Sequence, residues 1–299
     1  MSMAALYIIV AGVLVAASCA LLGSFLILRR MAMIGDAISH AVLPGIVLAF
    51  LLSGSRAGVP MLMGAAATGV LASILIDLLY RKAQLPQDAS IGITFTWLFA
   101  LGVILISTYT GQVDLDQQCV LYGEIALVPL DWYYAPGGQP LAPRAILIGA
   151  GLLAAVLIYV IAGFRGLKLT SFHEDYARAL GFSTVFWHFS FMSMVSLTTV
   201  LSFETVGAIL ILAFLVVPPA TAYLLTHDLR KMLLGSVFWG ILAALGGYFL
   251  AYWLDGSIAG AMVAVAGLNF LGVFLYTIRR RNPQSSPEPK GGNKDVVKS

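Results

Sequence analysis

The chain carries the sequence MIGDAISHAVLPG at residues 33–45. An aspartate and a histidine, Asp36 and His40, stand four residues apart inside this mainly apolar stretch. On a helix that spacing places both side chains on one face, so that a carboxylate and an imidazole point into one small volume. Such a mixed oxygen and nitrogen ligand set predicts a site for a divalent cation. The alternative is an internal hydrogen-bonded pair that only fixes helix packing.

The composition indicates that this stretch lies in a membrane. Of the 299 residues, 60% are hydrophobic and 10% are charged, whereas about a quarter are charged in soluble domains. Nine apolar runs are close to the ~20 residues that a spanning helix needs. The second run contains Pro44 and is expected to be kinked or broken. The sequence predicts an all-α polytopic membrane protein with about nine transmembrane helices, at roughly 5–28, 36–53, 59–80, 89–110, 143–164, 184–203, 206–225, 232–254 and 258–278.

The distribution of basic residues predicts the orientation. With nine crossings, every lysine and arginine except Arg56 and Arg144 falls on one side. By the positive-inside rule this side is the cytoplasm, so the N-terminus is outside and the C-terminus inside. Ends on the same side would instead require eight or ten crossings. No basic residue precedes the first run, which we interpret as a retained transmembrane helix and not a cleaved signal.

Composition also sets the domain boundaries and limits other chemistry. We assign residues 1–281 to the membrane domain and expect residues 282–299, which lack an apolar core, to be a disordered cytoplasmic tail. Cys19 and Cys119 are too few for a disulfide framework or a thiolate metal site. The net charge of +3 gives no reason to expect a nucleic-acid partner.

One inner loop predicts a short, rigid helix. Residues 171–181 have Ser171 and Glu174 at capping-box spacing, and Asp175 also lies in the first turn. Arg178 comes later, and Gly181 is a typical helix stop.

The outer segments differ from simple connectors. Residues 111–142 are acidic and include an apolar stretch at 119–128 that is too short to span, which predicts a re-entrant or interfacial helix. Glu204 and Asp255 fall at outer helix ends. They are either ordinary solvated acids or an outer gate that attracts cations.

Three motifs together carry a family resemblance. Residues 35–45, the inner segment 171–181, and the sequence VGAILILAFLVVPPATA at 206–222 resemble the permease subunits of bacterial ATP-binding-cassette (ABC) importers for manganese, zinc and iron. The resemblance runs from about residue 5 to residue 278. It implies a type II-like importer permease that pairs with a second copy or a paralogue. It also implies a solute-binding protein that delivers the metal outside and a separate ATPase inside.

The resemblance assigns roles to individual residues. Asp36 and His40 would bind the transported ion, while Phe172, Glu174, Asp175, Arg178 and Gly181 would belong to the coupling helix that docks on the ATPase. The chain departs from the family at His173, where an aspartate is usual, and at Trp253 and Asp255, where some relatives have a histidine. Residues 115–126 look more like the manganese and iron branch than the zinc branch.

These observations predict a permease and not an enzyme. The chain has no Gly-x-x-x-x-Gly-Lys-Ser/Thr phosphate loop, so ATP hydrolysis requires a separate subunit. The predicted cargo is Mn(II), with Fe(II) or Zn(II) as alternatives, and no resident cofactor is expected. The alternative function is a stand-alone, proton-coupled secondary metal transporter or channel.

Overall fold

The computed structural model describes residues 3–53, 58–109, 125–134, 140–172 and 174–281. Within these ranges, nine helical segments are long and apolar enough to cross a membrane, which confirms the predicted fold and number of spans. The helices are α1 (Met3–Leu28), α2 (Ile34–Ala41), α3 (Leu43–Ser53), α4 (Gly58–Lys82), α5 (Gln87–Tyr109), α6 (Arg144–Phe172), α7 (Glu174–Ala179), α8 (Thr184–Val206), α9 (Ala208–Leu225), α10 (Leu229–Leu254) and α11 (Ile258–Arg281).

The second span is broken at the predicted place. Helix α2 ends at Ala41 and α3 begins at Leu43, just before Pro44. Proline has no N–H to donate, and its ring disturbs the preceding helical turn. The N–H groups of Gly45 and Ile46 both donate to the carbonyl oxygen of Val42, at 3.0 and 3.1 Å. The break therefore separates a short segment, α2, that carries Asp36 and His40.

Helix α1 lies at the centre of the bundle. Its residues are apolar around the whole circumference, and it packs against α6, α9 and α10. The buried hydroxyls of Ser24 and Ser236 lie 2.9 Å apart and join α1 to α10. Helices α2 to α5 pack against one another as a second group, and α8 contacts both α4 and α6.

Two glycines of the 35–45 motif allow close helix packing. A Cβ atom at Gly35 would lie 2.7 Å from Cδ1 of Leu215 on α9. Gly45 on α3 meets Gly64 on α4, and a Cβ atom on either would overlap the carbonyl oxygen of the other. Small residues of this kind let helix backbones approach closely in membranes. Gly35 thereby lets α2 pack closely on α9, and Gly45 lets α3 pack closely on α4.

The inner helix differs from the prediction at its start. Helix α6 runs for 29 residues to Phe172, well beyond the predicted end at 164. At 1.5 Å per residue it is ~44 Å long and exceeds the ~30 Å hydrocarbon core. Ser171 therefore lies in the last turn of α6, and the prediction that it caps the inner helix is wrong. Its hydroxyl instead accepts a hydrogen bond from Arg29 Nε, at 3.0 Å.

The predicted end of the inner helix is confirmed. After α7, Gly181 adopts a φ of +82°. Its N–H donates to the carbonyl of Arg178, and the N–H of Phe182 donates to that of Ala177, both at 3.0 Å. This pair of bonds is a Schellman motif, which requires a left-handed residue at the glycine position.

The outer segment contains a hairpin that the sequence did not predict. Strands β1 (Trp132–Tyr134) and β2 (Pro140–Pro143) pair antiparallel, and Trp132 contacts Tyr7 edge to face with ring centroids 5.6 Å apart. Of the predicted helix at 119–128, residues 119–124 lie outside the described residues, and Ile125–Leu127 form one 3₁₀ turn. The predicted tail at 282–299 also lies outside them, so the domain boundary stays a prediction.

Candidate metal site

Asp36 and His40 lie together on one face of α2. The opposite face is buried and carries apolar residues such as Ile34 and Ile38. Asp36 Oδ1 lies 3.5 Å from His40 Nε2, and each side chain is 33% exposed. The i, i+4 spacing has thus produced the predicted pairing, with both groups open to an approaching ion.

Helix α5 holds the imidazole from the side. The ring of His40 contacts those of Phe95 and Phe99, with centroids 6.0 and 5.9 Å away. These two phenylalanines are also four residues apart, which puts both on one face of α5. Sequence reasoning missed them, although the spacing was a usable signal. They restrict the ring orientation while leaving Nε2 directed toward Asp36.

The separation of the two donor atoms suits shared coordination. Oxygen and nitrogen ligands about 2.1 Å from one ion lie roughly 3.0–3.4 Å apart. The observed 3.5 Å is close to this range, and it is longer than the usual 2.7–3.2 Å of an N–H···O hydrogen bond. Small side-chain rotations would bring both atoms to one ion.

One chain supplies only part of a coordination sphere. Among the residues that the structure describes, no group of three or more histidine, cysteine, aspartate or glutamate side chains could hold a metal ion. Asp36 and His40 therefore offer two protein ligands, whereas a closed transition-metal site typically has four. Further ligands are left to water, to other oxygen or sulfur donors of this chain, to a second chain or to residues outside the described ranges.

The two acids of the predicted outer gate lie at helix ends. Glu204 is in the last turn of α8, and its side chain is outside the described part of the chain. Asp255 follows α10 with a φ of +51°, and its N–H donates to the carbonyl of Ala251. Asp255 is exposed and ends the helix, a structural role that needs no ion.

The inner segment exposes several large apolar side chains. Phe172 at the end of α6, Tyr176 in α7 and Leu180 just after α7 are 48%, 58% and 52% exposed. Arg178 Nε donates to Thr184 Oγ1 at 3.3 Å and ties α7 to the start of α8. Asp175 is exposed, and the side chain of Glu174 lies outside the described residues. Sequence analysis had not identified Tyr176 or Leu180 as part of this surface.

Comparison with known proteins places the chain in a family. Residues 3–277 match the sequence profile of the ABC 3 transport family. The manganese transport system membrane protein MntD of Bacillus subtilis is 47% identical over 271 residues, which are 91% of each chain. The zinc transport system membrane protein TroD of Treponema pallidum is 39% identical over 272 residues, covering 90% of this chain and 73% of that protein.

A solved structure agrees with this assignment. PsaBC from Streptococcus pneumoniae, determined in complex with Fab, superposes with a TM-score of 0.76 at 32% identity. The alignment covers 94% of this chain and 95% of that one. The match of fold, length and sequence shows that this chain belongs to the ABC 3 transport family, as one of its multi-pass membrane permeases.

Proposed function

We propose that this chain is the permease subunit of an ATP-driven importer that carries a divalent transition metal ion into the bacterial cytoplasm. The observation that carries this proposal is the Asp36–His40 pair, two groups of metal-ligating type whose side chains are each one-third exposed inside a membrane span. A translocation site must replace part of the hydration shell of the ion yet release it again. Two protein ligands per chain suit such a site better than a closed cage does.

A second permease chain would complete the site. Two Asp36–His40 pairs related by a two-fold axis would offer up to four ligands, which is a full transition-metal set. The structural similarity to PsaBC supports pairing of permease chains, and the partner is either a second copy or a paralogue. Conformational change between the two chains would alter the distance between the pairs and so lower the affinity for the ion.

Manganese is the favoured cargo. The mixed carboxylate and imidazole set suits Mn(II), Fe(II) or Zn(II), and it does not favour soft Cu(I). The relative with 47% identity is named for manganese, and the relative with 39% identity for zinc. A fixed set of ligands binds Mn(II) more weakly than Fe(II) or Zn(II). We therefore assign metal selection to an external solute-binding protein and to the geometry of the site.

Energy comes from a separate subunit. A permease of this family is not an enzyme, and its ATPase is another chain. We assign ATPase docking to α7 and the exposed apolar side chains in and beside it, together with Asp175 and Arg178. The excess of basic residues on the α7 side supports a cytoplasmic location for this surface and for the C-terminus.

Reconstitution tests the proposal. Proteoliposomes containing this chain and its ATPase, with the solute-binding protein outside, should accumulate Mn(II) only when ATP is hydrolysed. Parallel assays with Fe(II) and Zn(II) rank the metals, and metal content in cells lacking the chain checks the ranking. Accumulation driven by a proton gradient without ATP would overturn the importer assignment.

A further inference from the structure

A cavity of about 300 Å³, which neither Asp36 nor His40 lines, lies at the end of the bundle that carries most of the basic residues. It is formed where α1 and α6 end, between the last turns of α4 and the first turns of α8. Its charged or titratable lining residues are Arg29, Arg30, Asp77, Tyr80, Arg81 and His188. The function proposed above uses none of these side chains.

The charge of this cavity disfavours a metal ion. Among the described residues that line it, Asp77 carries the one carboxylate, and Asp77 Oδ1 lies 2.6 Å from Arg81 Nε and 3.5 Å from His188 Nε2. The described lining therefore has three guanidinium groups and one carboxylate, which already has two partners. Because like charges at short range repel strongly where water is partly excluded, the cavity favours an anion.

Arg29 is held in place at the wall of the cavity. Its Nε and Nη2 atoms donate to the hydroxyls of Ser171 and Thr170, each at 3.0 Å. Its guanidinium also lies 4.5 Å from the ring centroid of Phe191. These contacts fix the Arg29 guanidinium before an anion binds. Binding therefore does not have to pay the entropy cost of immobilising this side chain.

Arg30 occupies a backbone position at which glycine is usual. The N–H of Met31 donates to the carbonyl of Leu26, and that of Arg30 to Ile27, at 2.9 and 3.0 Å. This is the Schellman pattern that also ends α7, but Arg30, with a φ of +60°, stands where α7 has Gly181. A left-handed conformation is unfavourable for residues with a Cβ atom. Such an exception points to a role for the side chain.

We propose that this cavity binds a phosphate group, with Arg30 as the main recognition residue and Arg29 and Arg81 as neighbours. The Arg30 side chain is exposed and forms no hydrogen bond or ion pair with the described part of the chain. A guanidinium binds phosphate oxygens in a bidentate manner. Basic pockets at helix ends on the cytoplasmic side suit lipid headgroups. The phosphate is therefore either that of an anionic lipid or a soluble phosphate.

Arg30→Gly is the informative variant. Glycine fits the left-handed position better, so this variant should fold and melt at the wild-type temperature or higher in neutral lipid. Arg280→Gln, a charge-removing change on the basic end of α11 and outside the cavity, is the matched control. The full-length proteins are compared in nanodiscs of phosphatidylcholine, of phosphatidylcholine with phosphatidylglycerol, and of phosphatidylcholine with millimolar inorganic phosphate.

The readouts are thermal stabilisation and the phosphatidylglycerol retained after detergent extraction. We expect either phosphatidylglycerol or inorganic phosphate to raise the melting temperature of the wild type. The sample in which it rises shows whether the bound phosphate group comes from a lipid or from solution. Arg30→Gly should weaken that binding about tenfold or more, and Arg280→Gln should leave it unchanged. An Arg30→Gly protein that responds like the wild type, or a wild type that responds in neither arm, would overturn the proposal. Metal uptake is not a readout, so the result is independent of the proposed import function.

Discussion

Gly45 on α3 and Gly64 on α4 lie so close together that a Cβ atom on either would overlap the carbonyl oxygen of the other. The crossing follows immediately after the break between α2 and α3, and α2 carries Asp36 and His40. The backbone contact therefore fixes the path of the second span just beyond His40. Only residues without a side chain permit it.

Replacing Gly45 with alanine should destabilise the fold. The added methyl group meets backbone atoms that cannot rotate away, and such overpacking costs about 1–3 kcal/mol. Gly272→Ala is the control, because nothing lies within 4 Å of a Cβ atom there and alanine favours a helix by about 1 kcal/mol. Melting temperatures in detergent should fall for Gly45→Ala and stay level or rise for Gly272→Ala. Equal melting of both variants would refute the close crossing.

Loss of either proposed ligand should strongly reduce metal accumulation. Asp36→Asn keeps the shape and removes the charge, whereas His40→Ala removes the nitrogen donor, and we expect uptake to fall about tenfold or more in each. Ser39→Ala is a matched control on the same helix, since that hydroxyl donates to the carbonyl of Gly35 within α2. Uptake of radioactive Mn(II) is scored at equal membrane protein level. Wild-type uptake by both ligand variants would end the coordination hypothesis.

The orientation can be tested with tags at the two ends. If the basic residues report the cytoplasmic side, a tag after Ser2 is accessible from outside in intact cells and a tag after Ser299 only after permeabilisation. Tags accessible from the same side would require an even number of crossings, and one of the nine spans would then have to be reassigned.

The stop at Gly181 should matter for coupling to the ATPase. Gly181→Val places a β-branched side chain at a φ of +82°, which strains the end of α7, whereas Gly181→Asn is tolerated better in this conformation. In reconstituted vesicles the valine variant should lose ATP-dependent uptake or release the ATPase, while metal binding at Asp36 persists. Glu174→Lys, which reverses charge at the start of α7, should act in the same direction.

A single outcome would contradict the assignment of α7. If Gly181→Val and Glu174→Lys both transport at the wild-type rate and retain the ATPase, residues 171–181 are only a connector. The asparagine variant at 181 controls for loss of glycine as such, because it keeps the backbone conformation available.

The sequence alone determined the features that depend on neighbouring residues or on solvent. The length of the apolar runs predicts the nine spans. Backbone N–H and C=O groups cannot bond to water inside a bilayer, so an apolar run that crosses it has to pair them within a helix. The i, i+4 spacing brings Asp36 to His40 through helix geometry alone. Pro44 and Gly181 act through their own backbone dihedrals, so the break and the helix stop were predictable.

Tertiary structure decided what joins distant segments. The capping pattern at Ser171 is locally sound, yet the hydroxyl bonds to Arg29, which is 142 residues earlier. The two aromatic rings beside His40 come from α5, and the counterpart of Gly45 is on α4. Helices that are apolar on every side can pack in many arrangements, because lipid and protein are equally good surroundings for such faces. Only close packing of small residues and a few buried polar contacts selects one arrangement, and these depend on the whole bundle.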